Sequence, residues 1–264
     1  MSKNIMYEWV LVKILVIVSF VGMIAANAAA VVLPLNGIST KGVSDLYPNL
    51  FTPAPYTFSI WGVIYLALAG FIIYQISPPH RGKGILTPSD LLRIRFAFIF
   101  SCIINILWIF SWHYLKLTLS VILMLVLLIS LIYINRLTRA KNLNTREKLL
   151  VRAPFSLYFG WITVATIANI AAFLVGNSWN GFGLSPVTWT ILMMFAGILI
   201  ASIVVIQNKD YIYPLVILWA YGGILNNHFS ASGFGGHYYS IMIATVACMV
   251  IMLVVTVTRS LYRE

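Results

Sequence analysis

The sequence is poor in charge, and in acidic residues most of all. Only 9% of its 264 residues are charged, and just 6 are Asp or Glu, against 17 Lys and Arg. Soluble domains carry about 25% charged residues, so this composition excludes an ordinary soluble globular protein. With 61% hydrophobic residues and a mean hydropathy of +0.95, the chain has the composition of an integral membrane protein.

No acidic residue lies within an apolar run. The acidic residues, which all fall in predicted loops or at the ends of runs, are Glu8, Asp45, Asp90, Glu147, Asp210 and Glu264. Secondary transporters commonly bind a coupling ion or proton on a carboxylate inside the membrane, and this sequence shows none there. The last apolar run also lacks the lysine that a retinal Schiff base needs, and the chain has no glycine-rich loop for nucleotide phosphates.

Cysteine and histidine are scarce. Cys102 and Cys248 both fall inside apolar runs, which favours small buried side chains over a disulfide framework. His228 and His237 share a glycine-rich external segment, but their spacing matches no metal-binding pattern. We expect both histidines to be solvated loop residues, and we predict no metal site.

Long apolar runs separated by short polar joints predict an all-α fold, a polytopic bundle of transmembrane helices. Each run is near the ~20 residues that cross a ~30 Å hydrocarbon core. The alternating ten-residue segments typical of a β-barrel do not appear. The predicted spans number about eight, at 8–33, 55–76, 94–112, 116–134, 154–175, 187–206, 211–226 and 238–258.

Two of these spans leave alternatives open. The seventh is short and contains Pro214, Gly222 and Gly223, so it could be a bent or re-entrant segment that does not cross. The first contains Ala-Asn-Ala at 26–28, which resembles a signal-peptidase site. The apolar run continues through Val32, however, so we favour an uncleaved span.

The placement of the basic residues predicts the orientation. Eight crossings put both termini on one side, and the opposite side then carries only Lys41 and Lys116, with Lys13 inside the first span. The basic residues on the side of the termini are Lys3, Arg81, Lys83, Arg93, Arg95, Arg136, Arg139, Lys141, Arg146, Lys148, Arg152, Lys209, Arg259 and Arg263. Because positive charge marks the cytoplasmic side, we expect both termini in the cytoplasm, at a bacterial cytoplasmic membrane. The net charge of +11 is then an orientation signal with affinity for anionic lipid, and nucleic acid is not an expected partner.

The longest external segment, 33–55, joins the first two spans. Its prolines favour a fixed, extended shape, and loops of this length in compact proteins are often lids over a site. We therefore expect it to cap a pocket that opens to the outside.

Polar and aromatic side chains recur at helical spacing inside three spans. The stripes are Trp61 and Tyr65 on the second span, Ser101, Asn105, Trp108 and Trp112 on the third, and Trp161, Ala165 and Asn169 on the fifth. Each stripe alone is typical of helix–helix packing, in which buried amides bond across helices and small residues allow close approach. Together they favour a pocket for a flat, largely apolar ligand with a few polar atoms.

Three stretches carry motifs that occur together in one family. FTPAPYTFSIWGVIY (51–65) is similar to W-T-P-P-x-W-x-F-x-x-x-W-x-x-L-Y, with Phe51 in place of the first Trp and about one residue fewer. INILW (104–108), followed by Leu115-Lys116, resembles a helix-3 motif L-N-x-x-W with a downstream Leu-His. LYFGWITVATIAN (157–169) resembles a helix-5 motif P-Y-x-x-W-x-x-x-A-T-x-x-N, with Leu157 in place of Pro. In this order they resemble the TspO/MBR family of tryptophan-rich sensory proteins, which includes the mitochondrial translocator protein.

The resemblance implies a TspO-like five-helix membrane domain at 1–175. The resemblance covers roughly residues 8–175, and residues 176–264 are expected to form additional transmembrane helices outside it. The family binds porphyrins, other tetrapyrroles and sterol-like molecules between its helices under the first loop. The ligand-binding residues that the resemblance and the stripes imply are Trp61, Tyr65, Asn105, Trp108, Tyr158, Trp161, Ala165 and Asn169. The asparagines and Tyr65 would fix the polar edge of the ligand or brace the helices.

Several functions stay open. A TspO-like protein would bind a porphyrin, another tetrapyrrole or a sterol-like molecule and act as a sensor, regulator or transporter, with no obligatory cofactor. Some relatives degrade porphyrin with light, using tryptophans that match Trp61 and Trp161, so an enzymatic activity is not settled. The alternatives are an eight-span permease for a neutral or amphipathic solute, and a structural membrane subunit without ligand. The expected partners are the lipid bilayer and a small hydrophobic ligand, and a homodimer is an open alternative.

Overall fold

A computed structural model describes residues 3–33, 35–76, 85–139 and 141–261. Over these residues the fold is helical and contains no strand. The α-helices are α1 (Lys3–Val32), α2 (Thr40–Asp45), α3 (Ile60–Ile76), α4 (Pro88–His113), α5 (Leu117–Arg139), α6 (Thr145–Glu147), α7 (Ala153–Gly176), α8 (Pro186–Asn208), α9 (Tyr213–Phe229) and α10 (Tyr239–Leu261). Short 3-10 turns lie at Leu35–Gly37, Pro55–Ser59 and Gly181–Gly183, and a π-helical turn, Lys148–Arg152, joins α6 to α7.

The predicted all-α bundle of transmembrane helices is confirmed. Within the described ranges, seven helical segments are long and apolar enough to cross a membrane: Val10–Val32, Pro55–Ile76, Pro88–His113, Leu117–Arg139, Thr145–Gly176, Pro186–Asn208 and Tyr239–Leu261. Helix α9 is not among them, because its 17 residues extend about 25 Å at 1.5 Å per residue, less than the ~30 Å core. The eighth crossing, and with it the location of both termini on one side, therefore stays a prediction. Three of the basic residues that predicted the orientation lie outside the described residues: Arg81, Lys83 and Arg263.

The chain divides into two compact units. The first comprises Met1–Thr40 and Trp61–Phe159, and the second comprises Lys41–Ile60 and Gly160–Glu264. Helix α7 contributes its first turns to the first unit and the remainder to the second. These units reflect packing, whereas the predicted boundary at 175 marks the end of the motif resemblance and stays a prediction.

In the first unit α4 packs against α1 and α5, and a cluster of phenyl rings ties α4 to α3 and α7. Phe71 of α3 lies 5.3 Å from Phe98 of α4 and 4.9 Å from Phe155 of α7, and the last two rings are 5.6 Å apart. All three rings are buried and meet edge to face, the arrangement that their quadrupoles favour. The same three helices carry Trp61, Trp108 and Tyr158.

Helix α4 begins at Pro88, six residues before the predicted start at 94, because a capping box stabilises the earlier turn. The Thr87 hydroxyl accepts the Asp90 backbone N–H at 3.2 Å, and the Asp90 carboxylate accepts the Thr87 backbone N–H at 2.9 Å. Such reciprocal bonds satisfy N–H groups that a helix start leaves unpaired. Asp90 also forms an ion pair with Lys141, 3.0 Å from Oδ2 to Nζ.

Glu147 links two polar joints of the first unit. It closes a second capping box with Asn144, whose backbone N–H it accepts through Oε2 at 3.1 Å. Its Oε1 accepts the backbone N–H groups of Ile85 and Leu86, both at 2.9 Å. Glu147 is 1% exposed, so one buried carboxylate holds the segment before α4 against the start of α6.

In the second unit α10 packs against α8 and α9, and two glycines allow helices to approach closely. A Cβ on Gly160 of α7 would lie 2.9 Å from the Cβ of Val216 of α9. One on Gly197 of α8 would lie 2.7 Å from the hydroxyl oxygen of Tyr221. That hydroxyl donates to the backbone oxygen of Met194 at 2.7 Å, which joins α9 to α8.

Candidate functional site

Trp61, at the start of α3, is the centre of an aromatic cluster in the first unit. Its ring centroid lies 5.5 Å from Tyr65, 6.4 Å from Trp108 and 6.0 Å from Tyr158. Tyr65 and Trp108 stack on Trp61 at interplanar angles of 24° and 29°, and Tyr158 meets it nearly edge-on at 64°. Trp112 extends the stack, 6.5 Å from Trp108. These five residues form what we term the aromatic cluster, which depends on the packing of α3, α4 and the first turns of α7.

A line of hydrogen bonds reaches one member of the cluster, Tyr158. Asn27 of α1 donates through Nδ2 to Oδ1 of Asn105 at 2.7 Å, and Asn105 donates through Nδ2 to the Tyr158 hydroxyl at 2.8 Å. Asn105 and Tyr158 are both fully buried. Buried amides of this kind tie transmembrane helices together. Asn105 therefore braces α1, α4 and α7, and direct contact between Asn105 and a ligand stays a prediction.

Two polar atoms of the aromatic cluster have no hydrogen-bond partner among the described residues. They are the hydroxyl of Tyr65 and Nε1 of Trp108. Both atoms are buried, and the whole side chain of Trp108 is only 6% exposed. Leaving a buried donor unpaired costs about 1–3 kcal/mol. These are the buried polar atoms of the cluster for which the described residues offer no partner.

The other predicted ligand residues lie on the part of α7 that belongs to the second unit. They are Trp161, Ala165 and Asn169. Trp161 and Asn169 are buried and Ala165 is half-buried. The Trp161 ring packs edge to face against Phe58, with centroids 5.9 Å apart. The first unit thus brings Trp61, Tyr65, Asn105, Trp108 and Tyr158 together. A ligand contact stays a prediction for all eight residues.

The first part of the external loop is held by the C-terminal end of α4. His113 is fully buried, with Nδ1 3.1 Å from the backbone oxygen of Leu35 and Nε2 3.0 Å from the Thr40 hydroxyl. A carbonyl oxygen only accepts, so Nδ1 donates to Leu35 and Nε2 accepts from Thr40. The His113 backbone oxygen also accepts from Asn36 at 3.0 Å, and Trp112 donates through Nε1 to the Thr40 backbone oxygen at 3.2 Å. Since Trp112 belongs to the aromatic cluster, the cluster bonds directly to the loop.

The last part of the loop is held by one face of α9, in the second unit. The bonded pairs are Trp219 Nε1 with Thr57 O (3.0 Å), Gly223 O with Ala54 N (3.0 Å), Asn227 Nδ2 with Thr52 O (2.9 Å), and His228 Nε2 with Leu50 O (2.9 Å). We term these four contacts the α9 ladder. As the α9 residue number rises the loop residue number falls, so residues 50–57 run antiparallel to α9. A side chain at Gly223 would collide with Thr57, and the close approach therefore requires glycine.

The loop and one histidine differ from their predictions. The loop is not extended throughout, because Thr40–Asp45 forms α2. His228 is not a solvated loop residue: α9 continues to Phe229, and His228 is fully buried and stacks on Phe234 with centroids 4.6 Å apart. Its ring bonds to the backbone oxygen of Leu50, far away in the sequence, and α9 was predicted to end at 226.

The remaining predictions on individual side chains agree with the structure. His237 is exposed, and Cys102 and Cys248 are buried free thiols.

Comparison with known proteins identifies the family. A family model described as TSPO-like protein matches residues 13–258. No curated protein and no solved structure matches the chain. The family match runs past residue 175, where the motif resemblance ends, and includes α8, α9 and nearly all of α10. Since the match covers most of the sequence, the chain belongs to the family of TSPO-like proteins.

Proposed function

We propose that this TSPO-like membrane protein binds a planar, largely apolar ligand at the aromatic cluster, and that binding serves a sensory, regulatory or transport role. The ligand class is a porphyrin, another tetrapyrrole or a sterol-like molecule. The observation that carries the proposal is the contact of the Trp61 ring with Tyr65, Trp108 and Tyr158. Aromatic faces suit stacking on a flat ring system, and small-molecule sites are mostly apolar with a few polar groups.

The polar part of the cluster supports the same proposal. Ordinary helix packing leaves few buried polar atoms without partners, yet Tyr65 and Trp108 each carry one that has none among the described residues. Asn105, by contrast, uses both side-chain atoms within the protein. Asn105 therefore holds the helices in place, while the Tyr65 hydroxyl and Trp108 Nε1 could bond to the few polar atoms of a mostly apolar ligand. That Trp161, Ala165 and Asn169 also contact a ligand stays a prediction from the family motif.

Equilibrium titration with protoporphyrin IX tests the proposal. Purified protein in detergent should show saturable binding in porphyrin absorbance and tryptophan fluorescence. Trp61→Leu should weaken binding about tenfold, because stacking on an aromatic side chain contributes roughly 1–3 kcal/mol. The matched control is Trp189→Leu, whose ring contacts Trp179 in the second unit at 4.7 Å and is not part of the cluster. Circular dichroism of both variants establishes that each remains folded.

The same titration separates the alternatives. A structural subunit without ligand predicts no saturable binding by the wild-type protein. A permease for a neutral or amphipathic solute predicts flux into vesicles that Trp61→Leu leaves unchanged. Binding that weakens equally in Trp61→Leu and Trp189→Leu would place the ligand elsewhere and contradict the proposal.

A further inference from the structure

Four residues of the aromatic cluster, Tyr65, Trp108, Trp112 and Tyr158, carry a polar atom that either bonds within the protein or has no partner among the described residues. The Tyr158 hydroxyl accepts from Asn105 at 2.8 Å, and Trp112 donates through Nε1 to the backbone oxygen of Thr40 at 3.2 Å. The Tyr65 hydroxyl and Trp108 Nε1 have no hydrogen-bond partner in the described part of the chain. The leftover atoms are thus one hydroxyl and one indole N–H.

The chemistry of these two groups limits what can satisfy them. An indole N–H donates and cannot accept, while a phenol hydroxyl can do both. Trp108 is only 6% exposed, so its N–H has little access to bulk water. The group that satisfies Trp108 must therefore be an acceptor, and the Tyr65 hydroxyl can donate to the same kind of atom.

The two groups also share a neighbour. Tyr65 lies on α3 and Trp108 on α4, yet both rings stack on Trp61, with centroids 5.5 Å and 6.4 Å away. A flat ligand that stacks in this cluster would meet a ring system with two unused donors. The cluster contains no charged side chain, and an unpaired carboxylate is costly to bury. A neutral acceptor therefore fits the cluster better than an anion.

We infer that the ligand of the aromatic cluster is a hydrogen-bond acceptor: a flat apolar ring system with a neutral carbonyl oxygen or ring nitrogen, which Trp108 Nε1 and the Tyr65 hydroxyl bind. This inference rests on the proposed function and narrows its ligand class. A flat hydrocarbon would stack but leave both donors unpaired. A molecule whose polar edge carries only donors could not satisfy Trp108, because the Trp108 N–H is itself a donor and cannot accept.

A matched pair of probes tests the inference directly. Fluorene and 9-fluorenone are similar in size and flatness, and differ in that a carbonyl replaces a methylene group. The measured quantity is the ratio of their dissociation constants for each variant, since the difference in their hydration then cancels between variants. Trp108→Phe and Tyr65→Phe remove the donors and keep a ring. Each should reduce the preference for fluorenone over fluorene about three- to tenfold, the contribution of one hydrogen bond, and the ratio removes the change in stacking that both probes share.

Trp189→Phe is the control, because the Trp189 N–H already donates to the backbone oxygen of Gly181 at 2.6 Å and its ring lies outside the aromatic cluster, against Trp179. It should leave the fluorenone-to-fluorene ratio at its wild-type value. A second measurement needs no variant: the infrared carbonyl band of bound fluorenone should lie at lower wavenumber than in hexane, because a donor weakens the C=O bond.

The outcomes distinguish this inference from the proposed function. If both probes bind to the wild type and the ratio is unaffected by Trp108→Phe and Tyr65→Phe, the cluster binds flat rings but the acceptor inference is wrong. A carbonyl band at the hexane position would also overturn it. If neither probe nor protoporphyrin IX binds saturably, the proposed function itself fails and the inference fails with it.

Discussion

Asn105 donates through Nδ2 to the hydroxyl of Tyr158 at 2.8 Å, joining α4 to the first turns of α7. Both residues were predicted to contact a ligand, and the structure shows them bonded to each other. The Asn105 carbonyl oxygen in turn accepts from Asn27 of α1 at 2.7 Å. One buried amide thus holds three helices around the aromatic cluster. Asn105 and Tyr158 bond within the protein, whereas Tyr65 and Trp108 each carry a buried polar atom without a partner among the described residues.

Asn105→Ala should destabilise the protein by about 1–3 kcal/mol, because it removes the acceptor of one buried Asn27 N–H and the donor to the buried Tyr158 hydroxyl. Tyr158→Phe should have a smaller effect, since it removes a single hydroxyl. The control is Ser130→Ala, whose buried hydroxyl donates to the backbone oxygen of Leu127 in its own helix. Free energies of unfolding in detergent micelles measure the three effects. Equal values for Asn105→Ala and Ser130→Ala would contradict the bracing role.

Gly223→Ala should release the last part of the external loop from α9. A Cβ at this position would collide with Thr57, whereas one on the neighbouring Gly222 would meet nothing within 4 Å. Alanine favours the helix over glycine by about 1 kcal/mol at either position, so Gly222→Ala is a matched control that should be neutral or stabilising. Hydrogen exchange at the Ala54 amide, which donates to Gly223, should accelerate in Gly223→Ala alone. Unchanged protection there would show that the α9 ladder tolerates the added methyl group.

His113→Ala should loosen the first part of the loop and leave residues 50–57 protected. The change removes the ring bonds to Leu35 and Thr40 but leaves the backbone bond from Asn36. His228→Ala should have the converse effect, because its ring bonds to Leu50. Segment-resolved hydrogen exchange measures both.

The exposed His237, whose ring bonds to the backbone oxygen of nearby Phe234, provides the control for the histidine variants. His237→Ala should leave both parts of the loop protected. If His113→Ala increased exchange equally over 35–40 and 50–57, the two anchors would not act separately, contrary to this prediction.

Glu147→Gln should destabilise the first unit far more than Lys141→Ala. A glutamine has one acceptor oxygen, so it cannot accept from Ile85 and Leu86 through one oxygen and from Asn144 through the other. Leaving those buried N–H groups unpaired costs about 1–3 kcal/mol. Lys141→Ala removes an ion pair whose lysine side chain is 33% exposed, and pairs near the surface contribute about 0–1 kcal/mol. Thermal unfolding of the two variants gives the comparison, and the reverse order would refute the role assigned to Glu147.

Much of the helical architecture could be predicted from the sequence, because apolar length alone marks a membrane span. Each predicted span corresponds to an observed helix, but the start of α4 was placed at 94 and lies at Pro88. Hydropathy fails there because Asp90, Arg93 and Arg95 make the first turns polar. The capping box of Thr87 and Asp90 is visible in the sequence and would have placed the boundary.

The ring cluster was also predictable in part, since Trp61, Tyr65 and Trp108 follow from helical spacing and from the family motifs. The docking of the loop on α9 was not. Its bonds use backbone groups at Thr57, Ala54, Thr52 and Leu50, and any residue type offers a backbone carbonyl. The side chains on α9 that form these bonds include Asn227 and His228. In the sequence they precede a glycine-rich segment, where an asparagine and a histidine are typical of a loop. The buried state of His228 therefore required the structure.

Fluorine NMR of protein labelled with 5-fluorotryptophan tests most directly whether Trp61 and its neighbours form the ligand site. The chain has 8 tryptophans, and single Trp→Phe variants assign their signals. Titration with protoporphyrin IX should shift the signals of Trp61 and Trp108 and leave those of Trp179 and Trp189, which contact each other in the second unit, unchanged. Saturable binding that moves Trp179 and Trp189 but not Trp61 and Trp108 would contradict a ligand site at the aromatic cluster.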